Sequence, residues 1–185
     1  MIEENFSTPE QLDAGLDAIR QSPQDSGRVE LIVRRPNAGE REVLDIAELD
    51  LAAGLTGDNW LERGSRKMSD GSAHPDMQLT LMSSRAIALV ARSKDRWPLA
   101  GDQLYVDLDL GEDNLPAGSK LRIGTAVIQV TAVPHTGCRF FAARFGPDAT
   151  RFVNSPEGKR LRLRGLNARV LQAGTVRVGD LAIKV

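Results

Sequence analysis

Residues 121–133 read LRIGTAVIQVTAV, two apolar runs separated by Gly124. The runs are rich in β-branched residues, and a glycine between them is typical of a turn, so this stretch predicts two consecutive strands. Outward from it, further short apolar runs alternate with turn signals, whereas only two or three segments have helical spacing. The sequence therefore predicts a mostly β fold with a few short helices, arranged as a partly closed β-barrel.

Other segments complete this prediction. Strict alternation over 104–110 predicts a strand whose Tyr105, Asp107 and Asp109 face water. Residues 155–164, SPEGKRLRLR, have the composition of a surface loop, and 165–185 predict two strands joined through Ala173-Gly174. Further strands are predicted at 28–34, 43–51 and 77–81, and a short helix that Ser83 or Ser84 caps is predicted through Ala91.

An N-terminal helix is predicted over residues 8–21. Thr8 and Gln11 have the spacing of a capping box, and Leu12, Leu16 and Ile19 fall on one face. The chain of 185 residues suits one domain with a sizeable core. We therefore predict a helical extension at 1–27 that covers a flank of a β-barrel domain at 28–185.

The stretch that follows the predicted hairpin contains the only cysteine. Residues 131–144, TAVPHTGCRFFAAR, place His135 three residues before Cys138 and Arg139 directly after it. A thiolate is the reactive form of cysteine, and either cation could stabilise it. A buried, inert thiol is the general alternative for a lone cysteine, but proline, glycine, histidine and arginine are poor neighbours in a core. We predict that Cys138 lies in a turn at the end of a strand, where it can meet a ligand.

Charge is unevenly distributed along the chain. The net charge is -1, but residues 139–169 carry eight Lys or Arg against Asp148 and Glu157. An anionic partner is therefore expected near the cysteine, although a solvated surface is an equal alternative for single arginines. The low net charge makes nucleic acid an unfavoured partner. A free thiol, no apolar leader and no membrane-length apolar run predict a cytoplasmic protein without a membrane partner.

Two polar loops lie between the predicted strands. GLTGD at 54–58 places Gly57 and Asp58 where a backbone could approach a ligand, or in an ordinary turn. Residues 60–76 include Arg63, Lys67 and His74 and have little apolar content. Such a long polar loop is uncommon without a function, so we expect either a lid or a disordered tip.

Four segments in this order resemble the MOSC family, the domain named after the C-terminal part of molybdenum cofactor sulfurases. They are GLTGD at 54–58, QLTLMS at 78–83, VTAVPHTGCRFF at 130–141 and GLNARVLQAGTVRVGD at 165–180. The similarity extends over roughly residues 28–185. It implies a barrel of the MOSC type, similar to the pyruvate-kinase barrel, and binding of molybdenum cofactor.

The resemblance also implies roles for individual residues. It implies that Cys138 is the catalytic residue and ligates molybdenum or carries sulfur. Gly57 and Asp58, and Gln78 and Thr80, match segments that line the family's site. Independently of the resemblance, we expect further cofactor contacts from His135 and, for the phosphate, from the cations Arg63, Lys67, Arg139 and Arg169. A soft molybdenum centre accepts a thiolate, while phenylalanines and arginines suit a flat pterin and its phosphate.

Three functions stay open from the sequence. The first is a molybdenum-dependent reductase of small N-hydroxylated compounds, which would need an electron-donor protein. The second is a carrier that passes the cofactor or its sulfur to an accepting enzyme. The third is a barrel-type module that binds an anion or nucleic acid through Arg and Phe side chains. The chain has no pyridoxal-phosphate domain, so we expect no desulfurase activity in it.

Overall fold

The computed structural model describes residues 6–185, and these form a closed barrel with helices on its outer surface. The helices are α1 (Pro9–Ala14), α2 (Leu16–Arg20), α3 (Trp60–Arg63), α4 (Ser84–Ala91), α5 (Arg139–Asn154) and α6 (Pro156–Arg160). The strands are β1 (Ser26–Arg34), β2 (Glu42–Leu44), β3 (Ile46–Asp50), β4 (Gly54–Leu55), β5 (Leu79–Ser83), β6 (Leu104–Val106), β7 (Lys120–Ile123), β8 (Ala126–Val130), β9 (Leu166–Gln172), β10 (Gly174–Arg177) and β11 (Leu181–Lys184). Short 3-10 helices occupy Pro75–Met77 and Lys94–Ala100.

Seven strands close the barrel in the order β1-β6-β5-β9-β8-β7-β11, and β11 pairs back with β1. All neighbours are antiparallel except β5 and β6. Strand β2 extends the sheet from the end of β1, and β10, β3 and β4 form a second, three-stranded sheet. The mostly β, barrel-type prediction is confirmed, and closure leaves few unpaired strand edges.

Two apolar cores lie on the two sides of the barrel wall. The inner core includes Val29, Ile32 and Leu104. The outer core joins Val33 and Tyr105 to the helices. Burial of each large apolar side chain stabilises the fold by roughly 1.5–3 kcal/mol. Strands β1, β5 and β6 are therefore covered on both faces.

The outer core explains why the prediction for 104–110 was wrong. Strand β6 ends at Val106, and Tyr105 is fully buried rather than exposed to water. Its hydroxyl donates to the carbonyl oxygen of Trp97 at 2.8 Å, and burial raises the pKa of Tyr105 above its ordinary value. The outer face of this strand is not wet because the 3-10 helix that carries Trp97 covers it.

Three further boundaries differ from the sequence prediction. The capping box of Thr8 is confirmed, but the helix divides at Gly15 into α1 and α2. Residues 156–160 form helix α6 instead of a loop, because Pro156 begins it and the hydroxyl of Ser155 accepts the amide of Gly158. Residues 165–185 contain three strands, since the Gly179-Asp180 turn starts β11.

The N-terminal helices pack on the outer core. Leu12 of α1 and Ile19 of α2 are buried, and the two helices contact α4, while α1 also contacts α5. The hydroxyl of Ser7 donates to the carbonyl oxygen of Leu89 at the end of the same surface. A separate extension at 1–27 stays a prediction about domain division.

Candidate functional site

The segment 131–138 leaves the barrel after β8 and brings Cys138 to the start of α5. Asn154, at the far end of α5, accepts the amide of Gly137 at 2.9 Å and donates to its carbonyl at 3.0 Å. Gly137 packs closely there, because a Cβ atom would lie 2.9 Å from Val153. Cys138 precedes the first helical residue and is exposed. It lies eight residues beyond the end of β8, in the loop that leads to a helix.

Cys138 lines a cleft of about 470 Å³ whose charged walls are arginine. Met77, Ala100, Phe140 and Phe141 give it an apolar part, and Asn59, Thr80, His135 and Asn167 add polar groups. The arginines that line it are Arg35, Arg41, Arg63, Arg144 and Arg164. No carboxylate is among the described residues that line this cleft, which therefore favours an anionic ligand.

Arg35 is held in the wall by Asp58. The carboxylate of Asp58 is buried and accepts from Nε of Arg35 at 2.8 Å and Nη2 at 2.7 Å. It also accepts the backbone amides of Arg35 and Trp60. Four hydrogen bonds satisfy the buried carboxylate, so Asp58 orients Arg35 and does not itself line the cleft.

Arg164 is held by a second buried carboxylate. Its Nη1 donates to Oδ2 of Asp102 at 2.6 Å, and its Nη2 donates to the carbonyl of Ala100 at 2.9 Å. The other oxygen of Asp102 lies 2.9 Å from Nε2 of His135. Burial would raise the pKa of Asp102, but Arg164 and His135 outweigh it and hold that pKa below its ordinary value. Asp102 is therefore ionised and links a cleft arginine to a cleft histidine.

The other three arginines of the lining have no carboxylate partners within residues 6–185. Arg41, Arg63 and Arg144 form no ion pair with any carboxylate within residues 6–185. The pKa of Arg41 is lowered by burial and, to a smaller extent, by the charge of Arg144. The pKa of Arg63 is lowered by burial and, to a smaller extent, by the charge of Arg35. Like charges that line one cleft repel one another, and a bound anion would relieve this repulsion.

The cleft also collects unpaired polar atoms. Within residues 6–185, the buried side-chain atoms that lack a hydrogen-bond partner are Oδ1 of Asn59, Nε of Arg164 and Oδ1 of Asn167. All three residues line the cleft. An unpaired buried polar atom costs about 1–3 kcal/mol of stability, so three such atoms at one site call for an explanation such as a ligand.

Several predicted site residues meet in this cleft, and several do not. Cys138, His135, Thr80 and Arg63 line it. Gln78 instead links the barrel to a neighbouring loop, donating to the carbonyl of Leu51 and accepting the amide of Val170. The remaining predicted contacts lie outside the lining. Gly57 packs against the Arg34 side chain, and Asp58 binds Arg35. Lys67 is exposed, the Arg139 guanidinium lies over the Phe140 ring, and Arg169 donates to Gln129.

Sequence reasoning missed Arg35, Arg41 and Asn167 as single residues. Arg35 had a usable signal, since it lies between the end of β1 at Arg34 and the Pro36-Asn37 turn. Arg144 and Arg164 belong to the basic stretch 139–169, in which an anion was expected, but the stretch alone does not separate them from Arg151 or Arg160 on the outside. Asn167 had no signal, because its side chain is buried in a strand.

The described residues contain neither a cluster of metal ligands nor a membrane-spanning helix. Residues 6–185 contain no group of three or more His, Cys, Asp or Glu side chains that could hold a metal ion. Among the same residues, no helix combines the length and apolar character needed to cross a bilayer.

Comparison with known proteins gives a family and a fold. The profile of the MOSC domain matches residues 69–182, which is more than half of the chain. YuaD from Bacillus subtilis has a similar structure, with a TM-score of 0.63 and 16% identity over 85% of this chain and 94% of that one. YiiM from Escherichia coli gives 0.54 and 20% identity, over 85% and 69%. At such identities the likeness concerns the fold alone. A search of curated proteins found no significant match.

Proposed function

Because the chain belongs to the MOSC domain family, we propose that the arginine-lined cleft binds molybdenum cofactor and that Cys138 ligates the metal. The observation that carries this proposal is the convergence of an exposed thiol, five arginines and three unpaired buried polar atoms at one cleft. Each suits a different part of the cofactor.

The residues present fit the group. A thiolate is a suitable ligand for a soft metal centre. Arginines without carboxylate partners suit a phosphate, which guanidinium groups bind in bidentate fashion. Asn59 and Asn167, whose amide oxygens have no partner, add polar groups to the lining that suit the N–H groups of a pterin. Phe140, which is 55% exposed beside Cys138, offers a ring for a flat ligand.

We further propose that the protein, with molybdenum cofactor bound, reduces small N-hydroxylated compounds. The cofactor supplies the redox chemistry, and the electrons come from a donor protein. The residues of this chain bind and orient. Asp58 and Asp102 fix Arg35 and Arg164 in the wall of the cleft. Arg41, Arg63 and Arg144, which have no carboxylate partner within residues 6–185, would hold the anionic ligand. The apolar residues at the cleft mouth would exclude water from the substrate.

A carrier function is the second candidate. Cys138 is exposed at the cleft, so a partner enzyme could reach a cofactor or sulfur atom held on it. A reductase turns over a hydroxylamine substrate when electrons are supplied, whereas a carrier transfers its cargo to an accepting apoenzyme. The two functions share the binding step and differ in turnover.

The first experiment is molybdenum content per chain after expression in cells that make the cofactor and receive molybdate. Cys138→Ala is expected to lose the metal, and Arg144→Gln is expected to retain much less cofactor than the wild type. Arg151→Gln is the matched control, since Arg151 lies on the same helix, outside the cleft, and pairs with Asp148.

Turnover then separates the two functions. Reduction of a hydroxylamine with a reduced viologen as donor supports the reductase. Molybdenum without turnover, followed by transfer to an apoenzyme, supports the carrier. If the wild type holds no molybdenum after expression and after reconstitution with released cofactor, the binding proposal is wrong.

A further inference from the structure

A second cavity of about 350 Å³ lies behind the segment that carries Cys138. The backbone of 131–136 forms one wall, and Val153, Gly158 and Leu166 form others. Glu112 and Lys159, which are exposed, are also part of the lining, so the cavity reaches solvent. Within residues 6–185, His135 is the one residue that lines both this cavity and the cleft. His135 therefore lies between a cavity that reaches solvent and the cleft where a substrate would bind.

Asp102 fixes the state of that ring. An ionised carboxylate can only accept, so the 2.9 Å contact requires the proton of His135 to be on Nε2. In the neutral ring Nδ1 is then an acceptor, and it forms no hydrogen bond within residues 6–185. The ring is thus oriented and has one nitrogen available.

The surroundings of the ring favour its neutral form. Burial, and next the charge of Arg164, lowers the pKa of His135, while Asp102 opposes this. A proton taken up on Nδ1 would therefore be readily given away, although Asp102 can stabilise it briefly. Three charged groups act directly on the ring: Asp102, Arg164 and Arg35. The other charged or titratable groups that line the cleft are Arg41, Arg63, Arg144 and Cys138. Those that line the second cavity are Glu112, Lys159 and Arg162.

We propose that His135 gives a proton to the substrate in the cleft, with Asp102 as the residue that positions its ring. The inference rests on the proposed reductase function. Reduction of R–NH–OH to R–NH2 and water breaks the N–O bond and consumes two electrons and two protons. The electrons come from the donor protein. Nδ1, the ring nitrogen that Asp102 does not hold, takes up a proton from water and gives it to the leaving oxygen, which departs as water. The second proton reaches the nitrogen of the substrate from solvent.

The kinetic test compares His135→Gln with the wild type and with His74→Gln. Glutamine keeps a donor for Asp102 but cannot relay a proton. We expect kcat to fall by roughly 10²–10⁴-fold with KM and molybdenum content little changed. Wild-type kcat is expected to rise as pH falls, and this dependence should be lost in the variant. Added imidazole should restore part of the rate to His135→Gly. His74 lines neither cavity and is the control.

A measurement on the cofactor-free protein tests the ring itself. The chain has only two histidines, so nitrogen NMR can assign both rings with His74→Gln as the reference. We expect His135 to carry its proton on Nε2 and to titrate below 6.5. A proton on Nδ1 would overturn the proposal, as would wild-type kcat in His135→Gln. Absence of molybdenum or turnover in the wild type would instead overturn the proposed function, and the relay with it.

Discussion

At the scale of single residues, two buried ion pairs determine the shape of the cleft. Arg35 and Arg164 are 8% and 6% exposed, and each is paired with a carboxylate whose side chain is fully buried. Such pairs add little net stability compared with apolar residues, but loss of one partner leaves a buried charge. Their effect here is to hold guanidinium groups at fixed positions in the wall.

Asp58→Asn is expected to lower the free energy of unfolding by about 3–5 kcal/mol. Both oxygens of Asp58 now accept from N–H groups of Arg35 or Trp60. In the variant an NH2 group would replace one of these oxygens and would meet those N–H donors. Urea denaturation measures the loss. Glu42→Gln is the matched control, because Glu42 pairs with the neighbouring Arg34 at the surface, where a pair contributes about 1 kcal/mol or less. Equal losses would contradict the argument.

At the scale of elements, helix α5 consists of two segments joined at Gly146. This residue has φ 90° and ψ 163°, and Pro147 follows it. The first segment carries Phe141 and Arg144 into the cleft, whereas the second returns Asn154 to Gly137. The break allows one helix both to line the site and to fix the residue before Cys138.

Gly146→Ala is expected to destabilise the protein more than Gly118→Ala. Both glycines have positive φ, so both substitutions strain the backbone by roughly 1–3 kcal/mol. At Gly146 the added Cβ would also lie 2.7 Å from the Phe6 ring, whereas nothing lies within 4 Å at Gly118. Thermal and urea unfolding of the two variants measure the difference. Equal destabilisation would mean that Phe6 moves aside without cost.

At the scale of the whole molecule, the acidic N-terminal region meets the basic C-terminal half. Glu157 of α6 accepts from Arg160 on its own helix and from Arg20 of α2, and Arg160 also reaches Asp113. Hydrogen bonds from Arg160, and next from Arg20, lower the pKa of Glu157 to about 2. The network ties the N-terminal helices to the segment behind the second cavity.

This network predicts a specific loss of stability in acid. The folded-state pKa of Glu157 is lowered, so its contribution is present above the ordinary pKa of 4.5 and is lost as pH falls toward about 2. The stability difference between wild type and Glu157→Gln, measured with urea, should therefore shrink across this window. High salt should shrink it at neutral pH as well. Glu62→Gln, which removes no ion pair seen within residues 6–185, should show no such trend.

Local pattern determined much of the fold. The capping box of Thr8, the start of α4 after Ser83 and the strands around Gly124 depend on neighbours a few residues away, and all were predicted. The exposure of Cys138 was also predicted from its sequence neighbours, since they are unsuited to a core.

Only the tertiary structure decided what surrounds that cysteine. Arg35 pairs with a residue 23 positions away and Arg164 with one 62 positions away, so their convergence depends on strand order, which periodicity does not contain. Tyr105 is buried for the same reason, because alternation reports the inner face of a strand and not what packs outside it. The sequence by itself therefore determined the barrel and the thiol, whereas long-range packing decided the cationic cleft and the placement of His135 between two cavities.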